Sequence, residues 1–485
     1  MKLFPCSFGS DRGFPRKLFL IGLLLRLVPV LLSYNLGIGL DDMFQYDMLA
    51  RSLVSGNGYR WYAQDDLYLV QPYIQFDLST IDYQPRGILT SFRPPLYPTF
   101  LAIIYFFTGV GSHRFFIVRI VQAVIGAMLV PMTYLLGQKF YGENEKVARL
   151  SAWIIAFYPM LVIYPLALAT ENIFFFLVLS SLLALLHAIE TRRTMDYILA
   201  GFSLGLMALT RSISLSGAGL VIIWMWFFIL DKKGAIILFT IITILTVPWM
   251  IRNSRLHGRL MGIESTLGYN LYVGYHPKST GTFEYGISTD LIPILDDSVR
   301  DRIGMEKALQ FIKDDPDRIP YLAIRRLGYF FGLERRALTY FYSNNFFGYI
   351  TTPLLITFAV ILLLPFVLIS TSAMYEIALT HWTPQSAVLP LFMIGYLTPH
   401  VFIMAEDRFH LAIVPILVIQ AATSWTGSFS GLKQRWNTHS GQCAILIATI
   451  ATILLIVNWG FELASDAEKL TQLIGPNGNI TFFPY

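Results

Sequence analysis

Apolar runs recur near residues 17–36, 96–109, 115–137, 147–168, 172–189, 196–211, 213–230, 235–250, 346–370, 386–404, 409–425 and 443–460. About 20 consecutive apolar residues cross a bilayer as a helix, the one open structure that satisfies its own backbone there. The chain therefore reads as an all-α polytopic membrane protein. Composition agrees, since 55% of the 485 residues are hydrophobic and only 14% charged, well outside the balance of a soluble domain. No repeat period is visible.

Charge orients these runs. Lys139/Lys146/Arg149, Arg192/Arg193, Lys232/Lys233 and Lys433/Arg435 fall in short connections, which the positive-inside rule places in the cytoplasm. Leu18 to Leu36 follows Lys2, Arg12, Arg16 and Lys17 and lacks a small-x-small cleavage site, so a retained first helix with a cytoplasmic N-terminus is expected. Segment 37–94 carries seven Asp (41, 42, 47, 65, 66, 77, 82) against four Arg (51, 60, 86, 93) and reads as external. If 96–109 also spanned, every later basic connection would be inverted. The run starting Pro94-Pro95-Leu96 is therefore read as an interfacial or re-entrant helix.

Eleven spans follow, with this organisation: 1–36 cytoplasmic N-terminus and first span; 37–114 first external loop; 115–250 spans two to seven; 251–345 second external loop; 346–460 spans eight to eleven; 461–485 external tail. The second loop is expected to be of mixed structure, with helical periodicity from Asp290 and a break at Asp314-Asp315-Pro316-Asp317. The tail holds the turn-rich Gly475-Pro476-Asn477-Gly478-Asn479. The net charge of +5 is assigned to the basic cytoplasmic connections, so membrane lipids rather than nucleic acid are expected as partners. Cys6 and Cys443 lie too far apart in sequence to suggest a disulfide framework or a thiolate metal site.

This topology brings certain ionisable residues to the external ends of spans. They are Asp41 and Asp42 after the first span, Arg93 before Pro-Pro, Glu171, Arg211, Arg252, and Glu406-Asp407-Arg408-Phe409-His410. Arginine binds phosphate bidentately, and a carboxylate can take a proton from an attacking hydroxyl. Each residue also has a purely structural reading. Asp41 or Asp42 suits the N-cap of a helix with Met43, Tyr46, Ala50 and Leu53 on its apolar face. Arg93 suits a snorkelling anchor, Glu171 a cap, and Arg211 and Arg408 partners for carboxylates or headgroups. Arg26, inside the first span, points to function or pairing, but no partner is evident. His113, His257, His276 and His400 lack ligand spacing, and Glu264 and Glu284 read as ordinary loop residues.

Taken in order, several segments from about Leu18 to Gln420 resemble the GT-C superfamily of membrane glycosyltransferases, in the branch of protein O-mannosyltransferases and lipid A aminoarabinose transferases. They include Asp42-Met43-Phe44-Gln45-Tyr46, Phe92-Arg93-Pro94-Pro95, Ala169-Thr170-Glu171-Asn172, Leu209-Thr210-Arg211, Gly268-Tyr269-Asn270-Leu271-Tyr272 and Glu406-Asp407-Arg408-Phe409-His410. The resemblance implies a GT-C-type fold and transfer of a sugar from a polyprenyl-phosphate donor to a glycan, lipid or protein acceptor on the external face. It makes Asp42, in register with Tyr46, the candidate base, with Glu171 and Asp41 assisting and Arg93, Arg211 and Arg408 on the donor phosphate. Met43 replaces the family's usual Glu, so no role of that second acid carries over. The family contains metal-dependent and metal-independent members, so a divalent metal stays open, although no ligand set is legible. A transporter or flippase of a lipid-linked or small polar substrate, or a non-catalytic assembly subunit, would also show many helices. One-sided polar residues without an inverted repeat argue against a carrier.

Overall fold

The structure, a computed structural model, describes residues 13–78, 81–141, 145–335, 350–379 and 383–474. Lys2, Cys6, Arg12, the end of the second loop and the Gly475–Asn479 turn lie outside the described residues. Helix α1 (Phe14–Leu32) leads to a lobe of α2 (Asp42–Val54), α3 (Gln64–Val70) and α4 (Leu96–Thr108). The bundle continues with α5 (Arg114–Tyr141), α6 (Glu145–Phe157), α7 (Pro159–Ile163), α8 (Glu171–Thr191), α9 (Thr194–Thr210), α10 (Ser214–Trp224) and α11 (Lys232–His257). A second lobe holds α12 (Leu267–Tyr275), α13 (Tyr285–Ser288), α14 (Asp297–Asp314) and α15 (Arg318–Phe330). Thr352–Leu379, Val388–Phe402, Val414–Thr426 and His439–Ser465 complete the bundle.

The polytopic reading holds, but the expected eleven spans are met only in part. Among the described residues five helices are long and apolar enough to cross a membrane, and α6 with the segment to Leu166 makes a sixth if that pair, bent by 54°, is one span. The remaining apolar runs form shorter helices. Run 386–404, for example, is helical only over the 15 residues Val388–Phe402, or about 22 Å of axis. Run 409–425 opens with a tight 3₁₀ turn before its helix begins at Val414. Within the bundle α8 is the central strut: 78% of its apolar window is buried, against 11% for His439–Ser465.

The bend between α6 and α7 accounts for Arg26. Pro159 has no N–H and drives Tyr158 extended (φ −62°, ψ 113°), which ends α6 and strips Ile155 O of its helical donor. Arg26 Nη2 donates to Ile155 O at 3.2 Å, and Nη1 donates to Ala156 O at 3.4 Å and Gly22 O at 3.0 Å. Gly126 leaves room for this side chain, since a Cβ there would stand 3.2 Å from Arg26 Nε. The charge is thus carried across the bundle to backbone carbonyls rather than to an acid.

The two lobes, 150 or more residues apart in sequence, share a core separate from that of the bundle. Phe44, Met48, Trp61, Tyr62 and Phe92 pack with Tyr269, Tyr272, Val273 and Leu291. The second lobe consists of helices joined by irregular segments, with no strand among its described residues, and it breaks after Asp314 as its Pro316 demands. The strands lie in the first lobe, where Arg60–Trp61 pairs antiparallel with Ile88–Leu89. Gly268 lets α12 and α14 touch, because a Cβ there would fall 1.9 Å from Asp301 O. Buried Asp297 joins the lobes by accepting from Thr90 Oγ1 at 2.5 Å, Ser91 N at 2.8 Å and Arg300 Nη2 at 2.5 Å. Helix α2 is locked by buried Asp47, which takes hydrogen bonds from Arg51 Nε (2.8 Å), Arg114 Nε (2.8 Å) and Tyr105 Oη (2.9 Å).

Candidate active site

Asp41 and Asp42 take different work at the start of α2. Asp41 is the N-cap, accepting from Met43 N at 2.8 Å. That hydrogen bond satisfies one of the helix's orphan donors. Asp42, the first helical residue, turns its carboxylate toward the bundle and accepts from Arg93 Nη2. Gln45 and Tyr46 lie three and four residues on, hence on the same helical face. Gln45 Oε1 accepts from Arg93 Nε at 2.8 Å, and the guanidinium lies 5.3 Å from the Tyr46 ring centroid. Arg93 is further fixed through its main chain, because Tyr59 Oη donates to Arg93 O at 2.9 Å and Pro94 O at 3.1 Å.

The other members come from the bundle. Glu171 opens α8, and its carboxylate meets Arg211 Nη1, from the end of α9, at 2.8 Å. Thr170 Oγ1 donates to its second oxygen at 3.0 Å. Arg408 Nε lies 2.7 Å from Glu406 and 3.8 Å from Glu171, while its Nη2 is 3.7 Å from Asp42. The segment bearing Arg408 is anchored by His410, whose ring nitrogens contact Phe330 O at 2.7 Å and buried Glu334 at 3.0 Å. Asp42, Arg93, Glu171, Arg211 and Arg408 thus form one continuous charge cluster. Asp41 stands beside it and, among the described residues, forms no ion pair with an arginine. Arg252, collected with them from the sequence, donates instead to Thr90 O and Asn253 Oδ1 behind Arg93.

The electrostatics separate these groups further. Burial alone would raise the Asp42 carboxyl, but the Arg93 and Arg408 charges outweigh it and hold Asp42 below the usual aspartate value. Arg93, opposed by burial but favoured by Asp42, stays protonated throughout. Burial pushes the Tyr46 phenol up to about 12, so it is neutral at physiological pH. Asp42 keeps 39% of its side-chain surface exposed, whereas Glu171 keeps 5% and Glu406 2%. Asp42 is the carboxylate of this set that an incoming molecule can reach.

Three neighbours carry weight that spacing alone did not assign. Gln45 could have been found from its i,i+3 relation to Asp42. Glu406, collected with Arg408 from the sequence but given no role, is the acid that Arg408 Nε meets. Glu264, set aside as an ordinary loop residue, accepts a hydrogen bond from Ser212, next to Arg211, and no sequence pattern marks it. Among the described residues no three His, Cys, Asp or Glu side chains gather to hold a metal ion.

The family described as dolichyl-phosphate-mannose-protein mannosyltransferase matches residues 93–251, from Arg93 through Glu171 and Arg211 into α11. The match takes in about a third of the chain. In fold the chain is similar to the Archaeoglobus fulgidus oligosaccharyltransferase. The apo form of that enzyme aligns with a TM-score of 0.50 and 13% identity, over 98% of this chain and 60% of that one. Its complex with Zn and sulfate aligns at 0.49 and 16%, over 97% and 57%. The chain thus spans about 60% of that protein's length. ArnT from Cupriavidus metallidurans bound to undecaprenyl phosphate aligns at 0.40 and 13%, over 88% of this chain and 80% of that one. No curated protein matches the chain. Over most of its length the chain thus shares the helical architecture of that oligosaccharyltransferase, and the segment that matches the mannosyltransferase family lies within it.

Proposed function

We infer that the protein transfers a sugar from a polyprenyl-phosphate donor to an acceptor hydroxyl at the outer face of the membrane. The observation that carries this reading is the convergence of Arg93, Arg211 and Arg408 with an accessible Asp42. Charge-assisted hydrogen bonds from arginine are well matched to a phosphate. The undecaprenyl phosphate held by ArnT supports this donor class, as does the family name of the matching segment.

Arg93, Arg211 and Arg408 hold the donor phosphate. Asp42 accepts the proton of an acceptor hydroxyl, whose oxygen forms a bond to the anomeric carbon as the bond from that carbon to the phosphate oxygen breaks. One displacement inverts the anomeric centre, and the electron pair leaves on polyprenyl phosphate, whose growing charge the arginines stabilise. Glu171, paired with Arg211, serves this step by aiming a guanidinium rather than by taking the proton. The acceptor is a glycan, lipid or protein hydroxyl reaching the cluster between the two lobes.

The test incubates purified full-length protein with polyprenyl-phosphate sugars and a panel of glycan, lipid and peptide acceptors, and reads the products by mass spectrometry. Sugar transfer that disappears in Asp42→Asn supports the reading. Undiminished transfer by that variant sinks the assignment of the base. Solute movement across vesicles without a new glycoconjugate favours a transporter instead.

A further inference from the structure

We propose that Glu264 binds the hydroxyl groups of the donor's sugar and thereby selects which sugar is transferred, an inference that rests on the donor class proposed above. Glu264 is held from both sides. Ile263 O accepts from Trp249 Nε1 and Asn253 Nδ2, each at 3.0 Å. Ser265 N donates to Ser91 O at 3.0 Å, and the two serine hydroxyls share a hydrogen bond of 2.9 Å. Ser91 lies two residues before Arg93, and the Glu264 carboxylate accepts from Ser212, the residue after Arg211. A rigid loop therefore sets this acid against Ser212 and within reach of the Arg93 charge.

Among the described residues its carboxylate has no ion pair of its own: it feels the Arg93 charge only from beyond pairing distance. Arg93, Arg211 and Arg408 have Asp42, Glu171 and Glu406 as their respective closest carboxylates. Glu264 is a further acid, half-buried, and among the described residues no lysine, arginine or histidine forms an ion pair with it. An ionised carboxylate only accepts hydrogen bonds, and one serine donor leaves most of its capacity unused. Beside a bound phosphate its charge is repulsive. That position is favourable only if binding also delivers hydrogen-bond donors to it. The sugar, one covalent bond from the phosphate, is the part of the donor that carries them. Sites that hydrogen-bond a substrate hydroxyl reject analogues lacking it strongly, because the protein group is then left unpaired.

The full-length protein in lipid nanodiscs is titrated with dolichyl phosphate and with dolichyl phosphate carrying mannose, glucose or galactose. The wild type is expected to bind at least one sugar-bearing lipid more tightly than the bare phosphate. Glu264→Gln and Glu264→Ala are expected to lose that advantage, by about tenfold or more, while binding dolichyl phosphate at least as tightly as wild type. The inference is overturned if the advantage survives in both variants, or if the wild type shows none. It is also overturned if both variants lose the bare lipid, which would make Glu264 a structural support. Failure of the wild type to bind dolichyl phosphate at all is a separate result that removes the donor reading itself.

Discussion

Helix α2 carries two acids five residues apart, and each sits in a cluster of arginines. Asp47 is 1% exposed and both of its oxygens are engaged by Arg51, Arg114 and Tyr105. Asp42 meets Arg93 and Arg408 yet keeps 39% of its side-chain surface open. The ingredients are alike, and the difference lies in saturation. A buried acid whose lone pairs are all occupied can only hold structure, while a partly open one set against strongly ionised partners can receive a proton. On the same helix, one cluster fixes the position from which the other can act.

Substitutions that break this comparison should give separable readouts. Asp42→Asn is expected to slow sugar transfer by about 10²- to 10⁴-fold, the usual contribution of a positioned base, and to leave the unfolding midpoint in detergent nearly unchanged. Asp47→Ala is expected to do the reverse. Leaving Arg114 without a carboxylate and Arg51 with Asp66 alone should cost about 3 kcal/mol of stability, read as an early thermal transition, while the fraction still folded keeps its turnover. A large rate loss in folded Asp47→Ala, or a stability loss in Asp42→Asn, would erase the distinction. Asp41→Ala removes only an N-cap and should cost about 1 kcal/mol, with turnover within a few-fold of wild type.

The smallest effect expected is in the pH profile. Asp42 acts as a carboxylate, and its arginines hold it below the ordinary aspartate value of 3.8. Transfer should therefore stay flat from neutrality down to about pH 4 and fall only as pH drops through the lower folded value. The stability that Asp42 contributes, small beside that of Asp47, follows the same sign, present above its unfolded value and lost on acidification. In Arg408→Gln the acidic limb should move upward, and a limb that does not move would remove Arg408 from the field acting on Asp42.

Much of this site is legible in the sequence because membrane topology sorts polar residues before any packing is known. Arg93, Glu171, Arg211 and Arg408 each stand at the end of an apolar run, and the parity of basic connections puts those ends on one face. What stays hidden depends on contacts between distant segments. Asp41 and Asp42 are equivalent until the backbone aims one at Met43 N and the other at Arg93. Glu264 follows α11 with no periodic pattern, and only the serine contacts to Ser91 and Ser212 bring it in. The number of spans is met only in part, because hydropathy does not register where a helix stops. Pro159 divides one run, and a 3₁₀ turn shortens another. Arg26 found no acid because its partners are carbonyls that Pro159 frees.

That last contact bears on how the chain is made. With α1 taken as the first span, Arg26 reaches the membrane about 130 residues ahead of the carbonyls that satisfy it, since Ile155 and Ala156 are synthesised only after α5. An unpartnered guanidinium in hydrocarbon is costly, so α1 on its own should rest shallowly or remain beside the insertion machinery until α6 arrives. Ribosome-bound chains ending near residue 141 should then release α1 to alkaline extraction, whereas chains extended beyond residue 200 should retain it. Equal retention at both lengths would mean that the first helix commits to the bilayer without its partner.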